Sequence, residues 1–129
     1  MKVSRVLIKK LKQAVKYAYA PYSKIQVGAV LYCANGQIFT GSNIENGSYS
    51  LTICAERVAL FKALSEGVKD FSLILVYSPQ YDFIIPCGAC LQVLSEFAPE
   101  IIIATMNKNE EFKFLPLSTL LKKPFKIGR

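Results

Sequence analysis

Residues 71–106 read FSLILVYSPQYDFIIPCGACLQVLSEFAPEIIIATM. Phe71 to Tyr77 is a short apolar run rich in aromatic and branched residues, the composition of a buried strand. Gly88 to Phe97 reads as a helix, and Ile101 to Met106 as a further buried strand. Strand, helix and strand in that order imply parallel neighbours in a sheet with helices on its faces.

The flanking segments extend this sheet. Upstream, Ala55 to Leu64 has the composition of a buried helix that closes near Gly67. Val27 to Cys33 and Gln37 to Gly41 flank Asn35-Gly36, a pair that favours the tight turn of an antiparallel hairpin. The stretch from Ser42 to Ser50 is polar and links the hairpin to the helix. Val3, Val6, Leu7, Leu11, Ala14, Val15 and Ala18 recur at helical spacing, so residues 3–18 are expected to form an amphipathic helix ended by Pro21-Tyr22-Ser23. Downstream, Glu111 to Leu115 is a short fifth strand and Leu117 to Leu121 a last helical turn.

A chain of 129 residues has room for a single domain, 1–129. Its apolar content of 52%, with eight Phe and seven Tyr, exceeds the usual share and suggests an oligomer. Apolar runs such as Phe83-Ile84-Ile85 fall far short of the roughly 20 residues that cross a bilayer. Lys9, Lys10 and Lys12 interrupt the N-terminal apolar run and no cleavage pattern follows, so the expected compartment is the cytoplasm. The net charge of +7 is spread over the first helix (Lys2, Arg5, Lys9, Lys10, Lys12, Lys16) and the tail (Lys122, Lys123, Lys126, Arg129) without a recognition motif. A solvated basic face is expected, with neither nucleic acid nor membrane as partner.

Chemistry concentrates in two short clusters. Cys54-Ala55-Glu56 is followed, 33 residues after Cys54, by Pro86-Cys87-Gly88-Ala89-Cys90, and the chain has no histidine. Three thiols suit zinc, and a catalytic zinc site keeps one position open for water. Glu56, two residues from a ligand, is placed to move that water's protons. Each cluster sits where a loop meets the start of a helix, whose free N–H groups and positive potential favour thiolate. Three thiolates outweigh the charge of the ion, and Arg57 could offset the excess by donating to sulfur. A structural zinc would need a fourth ligand, and the spare thiol, Cys33, falls on a hairpin strand where a buried small hydrophobe is expected.

Tyr19-Ala20-Pro21-Tyr22-Ser23-Lys24, Val27-Gly28-Ala29, Asn43-Ile44-Glu45-Asn46, Thr52-Ile53-Cys54-Ala55-Glu56-Arg57 and Pro86-Cys87-Gly88-Ala89-Cys90 with Gln92-Val93-Leu94 together resemble the small free-nucleoside cytidine deaminases over nearly the whole chain. The resemblance implies a three-layer α/β/α sandwich around a mixed five-stranded sheet. It implies hydrolytic deamination of cytidine and 2′-deoxycytidine, in pyrimidine salvage, by a homotetramer with one zinc per subunit and shared active sites. Cys54, Cys87 and Cys90 would hold the zinc and Glu56 would carry protons from water to the pyrimidine N3 and the departing amine. Asn43 and Glu45 would bind ribose hydroxyls, while the Ala55 N–H and the Cys87 carbonyl would read the pyrimidine edge. Tyr49 would reach a neighbouring subunit's site, and Phe125 would either close over another subunit's base or act as a core anchor.

Three positions depart from the family pattern. Ile25 stands where relatives often have a Phe against the base, Gln26 where they often have Pro, and Leu91 where an Arg is common. Two other readings compete, a deaminase of a cytosine-nucleoside antibiotic and a basic nucleic-acid-binding module with a structural zinc. The Asn43 and Glu45 pair argues against the first, and a carboxylate beside the metal would be idle in the second.

Overall fold

The computed structural model describes residues 2–128, so Arg129 of the basic tail lies outside the described residues. Strands β1 (Gly28–Cys33) and β2 (Ile38–Ser42) form the expected antiparallel hairpin, with Val30 opposite Thr40. Its turn passes through Gly36 at φ +89°, a left-handed conformation that side chains disfavour. Strand β3 (Phe71–Tyr77) runs antiparallel to β1, β4 (Ile102–Met106) parallel to β3, and β5 (Phe112–Pro116) antiparallel to β4. The spatial order is β2-β1-β3-β4-β5.

The strands bury both faces, and the alternation of their side chains assigns each residue to a layer. Leu73, Leu75 and Tyr77 join Val30, Ala104 and Met106 against Leu7, Ile8, Leu11 and Val15 of helix α1 (Arg5–Val15). Ile74 and Val76 join Ala29, Leu31 and Ile103 against helix α2 (Ala55–Ser65), helix α3 (Gly88–Phe97) and the short α4 (Leu117–Leu120). The result is the expected three-layer α/β/α sandwich. Among the described residues no helix is long and apolar enough to cross a membrane.

Helix α1 is shorter than its apolar periodicity suggests. It starts after Ser4, whose hydroxyl accepts from the Leu7 N–H, and stops at Val15. The N–H groups of Lys16, Tyr17 and Ala18 then bond to carbonyls only three residues back, tightening the chain before Pro21 is reached. Tyr19 leaves the helical path because its N–H donates to the Asn43 carbonyl and its own carbonyl accepts from the Glu45 N–H. Arg5 and Lys12 of this helix pair with Glu110, while Lys2, Lys9 and Lys16 face solvent.

Two glycines set the distance between layers. A Cβ on Gly28 would lie 2.8 Å from the Leu11 carbonyl oxygen, so α1 packs directly on β1. A Cβ on Gly41 would overlap the Ala55 carbonyl oxygen and lie 2.7 Å from the Ala59 nitrogen. The first turn of α2 therefore rests on the backbone of β2, and Cys54 and Glu56 are positioned by that contact. Gly41→Ala should destabilise the protein by about 2–3 kcal/mol, because the overlap involves backbone that cannot turn aside. Urea unfolding checks this, and a midpoint equal to that of the unaltered protein would count against the contact.

Candidate active site

The three thiols arrive on two helix starts. Cys54 and Cys87 are the N-cap residues of α2 and α3, and Cys90 lies in the first turn of α3. Neither N-cap thiol caps a backbone N–H of its own helix, which leaves both sulfurs free to turn toward a common point. The Cys54 and Cys87 Sγ atoms are 3.7 Å apart, those of Cys87 and Cys90 3.6 Å, and all three lie within 4.8 Å of one another. Tetrahedral zinc with Zn–S bonds of about 2.3 Å requires sulfurs about 3.8 Å apart, so the cradle fits the ion. Among the described residues no fourth metal-ligating group joins the three thiols, which matches an open site. Cys33 is buried among core residues on the α2 side of the sheet, where burial raises its pKa and it acts as a small hydrophobe.

Charge at the cradle is shared among close neighbours. The Cys54 thiol is pushed down to about 5, first by its hydrogen bond with Cys90 and further by Arg57 and Cys87, against the opposing effect of burial. The Cys90 thiol is pushed up by the same bond with Cys54 and by burial. Arg57 Nη2 lies 3.5 Å from Cys54 Sγ. Burial lowers the Arg57 pKa, but its bonds to Cys54 and Cys90 raise it by more, so the guanidinium remains a fixed cation behind the sulfurs. Glu56, also in the first turn of α2, is only 4% exposed. Burial pushes its carboxyl up to about 7, with Cys54 adding to the rise while its own backbone N–H and Arg57 oppose it.

A cavity of about 240 Å³ opens onto these groups. Cys54, Ala55, Glu56 and Cys87 line it together with polar Ser23, Asn43, Glu45 and Thr52 and aliphatic Ile25, Val27, Ile53, Ile84 and Ile85. A second cavity of about 370 Å³ shares Ser23, Glu45 and Thr52 with the first and adds Tyr22 and Tyr49. The larger hollow of about 590 Å³ between Lys2, Arg5, Phe112 and Phe114 contains neither a thiol nor a buried acid. Volume and chemistry thus point to different places, and the reactive groups decide for the smaller cavity.

Most of the expected site residues meet here, several with further bonds. Asn43 Oδ1 accepts from the Val27 N–H at 2.9 Å and Nδ2 donates to the Ile25 carbonyl at 2.8 Å, leaving the amide one more hydrogen to give. Glu45 Oε1 accepts from the N–H groups of Tyr22 (2.9 Å) and Ser23 (3.1 Å), and Oε2 accepts from the Ser23 hydroxyl. That hydroxyl holds the Glu45 carboxyl below its ordinary range. The Ala55 N–H begins α2, and the Cys87 carbonyl accepts from the Leu91 N–H at 3.0 Å.

Tyr49 lies beside the cavity, its ring edge-on to Tyr22 at 5.8 Å, and Phe125 lies outside it. Phe125 is not a core anchor, since it is 69% exposed and its backbone is held at both ends by the Gln92 side chain (3.0 and 2.9 Å). Leu91 packs in the core on the α2 side of the sheet. Ile53, Ile84 and Ile85 were not anticipated from the sequence. Their positions next to Cys54 and just before Pro86-Cys87 were the available signal, because residues adjoining a ligand in a loop tend to share its cavity.

Residues 1–106 match the family described as the cytidine and deoxycytidylate deaminase zinc-binding region. The chain is 52% identical over 95 residues to the cytidine deaminase of Halalkalibacterium halodurans, covering 74% of this chain and 72% of that one. It is 50% identical over 91 residues to the cytidine deaminase of Sporosarcina psychrophila, covering 70% and 67%. The crystal structure of cytidine deaminase from Burkholderia pseudomallei superimposes with a TM-score of 0.89 at 39% identity, over 96% of this chain and 100% of that chain.

The cradle makes a direct prediction about metal retention. Purified Cys87→Ala protein should lose nearly all of its zinc, since two thiolates and no spare donor remain. Cys33→Ala should keep it. Elemental analysis after gel filtration separates these outcomes, and zinc retained by Cys87→Ala would exclude the three-thiol site.

Proposed function

We propose that this chain, which belongs to the cytidine and deoxycytidylate deaminase family, hydrolytically deaminates cytidine and 2′-deoxycytidine in the 240 Å³ cavity. Each exchanges its exocyclic amine for an oxygen from water, giving uridine or 2′-deoxyuridine and ammonia. The observation that carries this reading is a buried carboxyl, Glu56, lining the same cavity as the thiol cradle.

Cys54, Cys87 and Cys90 would hold zinc, which when bound would supply a Lewis acid that makes water nucleophilic near neutral pH. Glu56 takes one proton from the attacking water and passes it to the pyrimidine N3, then carries the second to the departing amine. The Ala55 N–H donates to the edge of the base, and the Cys87 carbonyl accepts with its remaining lone pair. Asn43 gives its free amide hydrogen to a ribose hydroxyl and Glu45 accepts from one. Arg57 offsets the thiolate charge that would otherwise disfavour loss of a proton from the attacking water.

Two carboxylates, Glu45 and Glu56, line the cavity, and among the described residues no Lys or Arg does. A 5′-phosphate would meet repulsion from both lining carboxylates, so the geometry favours the free nucleoside over deoxycytidylate. The Asn43 and Glu45 pair beside the base site likewise favours a ribose over a modified antibiotic sugar.

The same reading extends to a homotetramer in the cytoplasm that serves pyrimidine salvage, with Tyr49 and Phe125 reaching neighbouring sites. Support comes from the exposure of large apolar side chains, Tyr49 at 74%, Phe125 at 69% and Ile127 at 78%. Light scattering should return a four-chain mass, and a monomer at working concentration would overturn the shared site.

Glu56→Gln should lower kcat on cytidine about 1,000-fold while zinc content stays at the unaltered level. The ultraviolet change on uridine formation reports the first quantity and elemental analysis the second. In the same assay, 2′-deoxycytidine 5′-phosphate should be turned over far more slowly than 2′-deoxycytidine. A fully active Glu56→Gln would remove the proton carrier from the mechanism.

A further inference from the structure

Thr105 lies on β4 with no exposed surface, on the same side of the strand as Ile103. Valine would fill this space and suit a central strand equally well. The hydroxyl has a defined partner, since Thr105 Oγ1 donates to the Ile84 carbonyl at 2.6 Å. Ile84 lines the 240 Å³ cavity, and the residue before it, Phe83, sits at φ +53°, a conformation unfavourable for a bulky side chain. Lys113, opposite Thr105 on β5, places its ammonium 4.2 Å from the centre of the Phe83 ring. Two facing side chains of adjacent strands therefore hold one strained corner of the loop.

The Ile25 part of the lining is built in the same way. Lys24 sits at φ +63°, Ile25 follows, and the Ile25 carbonyl accepts from Asn43 Nδ2. In both places an aliphatic side chain of the cavity follows a left-handed residue and has its own carbonyl captured by a buried polar side chain. Thr105 contacts neither a thiol nor Glu56 through any hydrogen bond, and those groups are fixed by the starts of α2 and α3. Its effect is therefore confined to the shape of the aliphatic lining.

We infer that Thr105 is a positioning residue for the base, acting through the Ile84 carbonyl to hold Ile84 against the substrate. The inference rests on the reading of this cavity as the nucleoside site. Loss of the bond frees the corner to relax and loosens ground-state and transition-state binding alike, which raises KM and leaves kcat in place.

Steady-state kinetics on cytidine, calorimetric binding of uridine and zinc content test this with the full-length, zinc-loaded protein. Thr105→Val should raise KM and the uridine Kd about 5- to 20-fold, with kcat within about 2-fold and zinc unchanged. Thr105→Ser, which keeps the hydroxyl, should stay within about 2-fold of the unaltered protein throughout. Ile84→Ala should raise KM comparably, and adding Thr105→Val to it should change KM little further, because both act on one contact. The proposal is overturned by an unchanged KM in Thr105→Val, by a loss confined to kcat or zinc, or by full additivity with Ile84→Ala. If Thr105→Val does not fold, Ile84→Ala decides, and an unaltered KM there overturns the proposal. Failure of the unaltered protein to deaminate cytidine would instead reject the reading of the site itself.

Discussion

Two helix N-termini meet at one point, and the free N–H groups they present are the constraint on which the site depends. Each carries roughly half a positive charge that falls off within one turn, so thiolates are tolerated there and hardly anywhere else in an apolar fold. Cys54 and Cys87 occupy both caps without accepting from a backbone N–H of their own helices. The sheet brings the caps together: α2 rests on the bare backbone of Gly41, and α3 begins after a loop that leaves the carboxyl end of β3. A sheet with parallel β3 and β4 has its open crevice at that end, so the cradle lies where this architecture generally leaves room for a ligand.

Within that frame, electrostatics divides labour among neighbours within three residues of one another. Cys54, Glu56 and Arg57 belong to one helical start, yet the environment pushes the thiol down to about 5 and the carboxyl up to about 7. Contact with other thiols and a guanidinium favours the charged sulfur, and burial disfavours the charged carboxylate. Arg57 lies on the sulfur side and is absent from the cavity lining, so its charge stabilises the cradle without attracting anions into the pocket. Under the proposed mechanism this separation lets the pocket bind a neutral nucleoside while the metal ligands remain balanced.

The sequence was most legible where structure is local. The bounds of β3 and α3 agree with the reading residue for residue, because a short apolar run flanked by polar residues and a helix capped at Cys87 are signals contained within the segments themselves. Helix α1 was overrun because periodicity continues to Ala18 while the backbone of Tyr19 is drawn away by Asn43 and Glu45, a demand made from more than twenty residues downstream. The thiols and Glu56 could be picked out from chemistry alone. The bonds of Asn43 and Glu45 to residues 22–27 could not, since no spacing rule links a carboxylate to the backbone of a preceding loop. Ile84 and Ile85 were hidden for a related reason, as a cavity wall is defined by what folds over it.

The aliphatic lining changes what the loops must do. An aromatic ring at position 25 would present a flat face to a pyrimidine and would tolerate small displacements, because offset stacking is favourable over a range of positions. Isoleucine offers a narrower surface, and dispersion falls steeply with a gap of less than an ångström. A cavity walled by Ile25, Val27, Ile84 and Ile85 therefore depends more on where its backbone is held than on which apolar side chain it carries. The carbonyls of Ile25 and Ile84 are fixed by Asn43 and Thr105, so the aliphatic residue at position 25 falls on a wall whose backbone is anchored by buried hydrogen bonds. Precision of the backbone takes the place of breadth of the side chain.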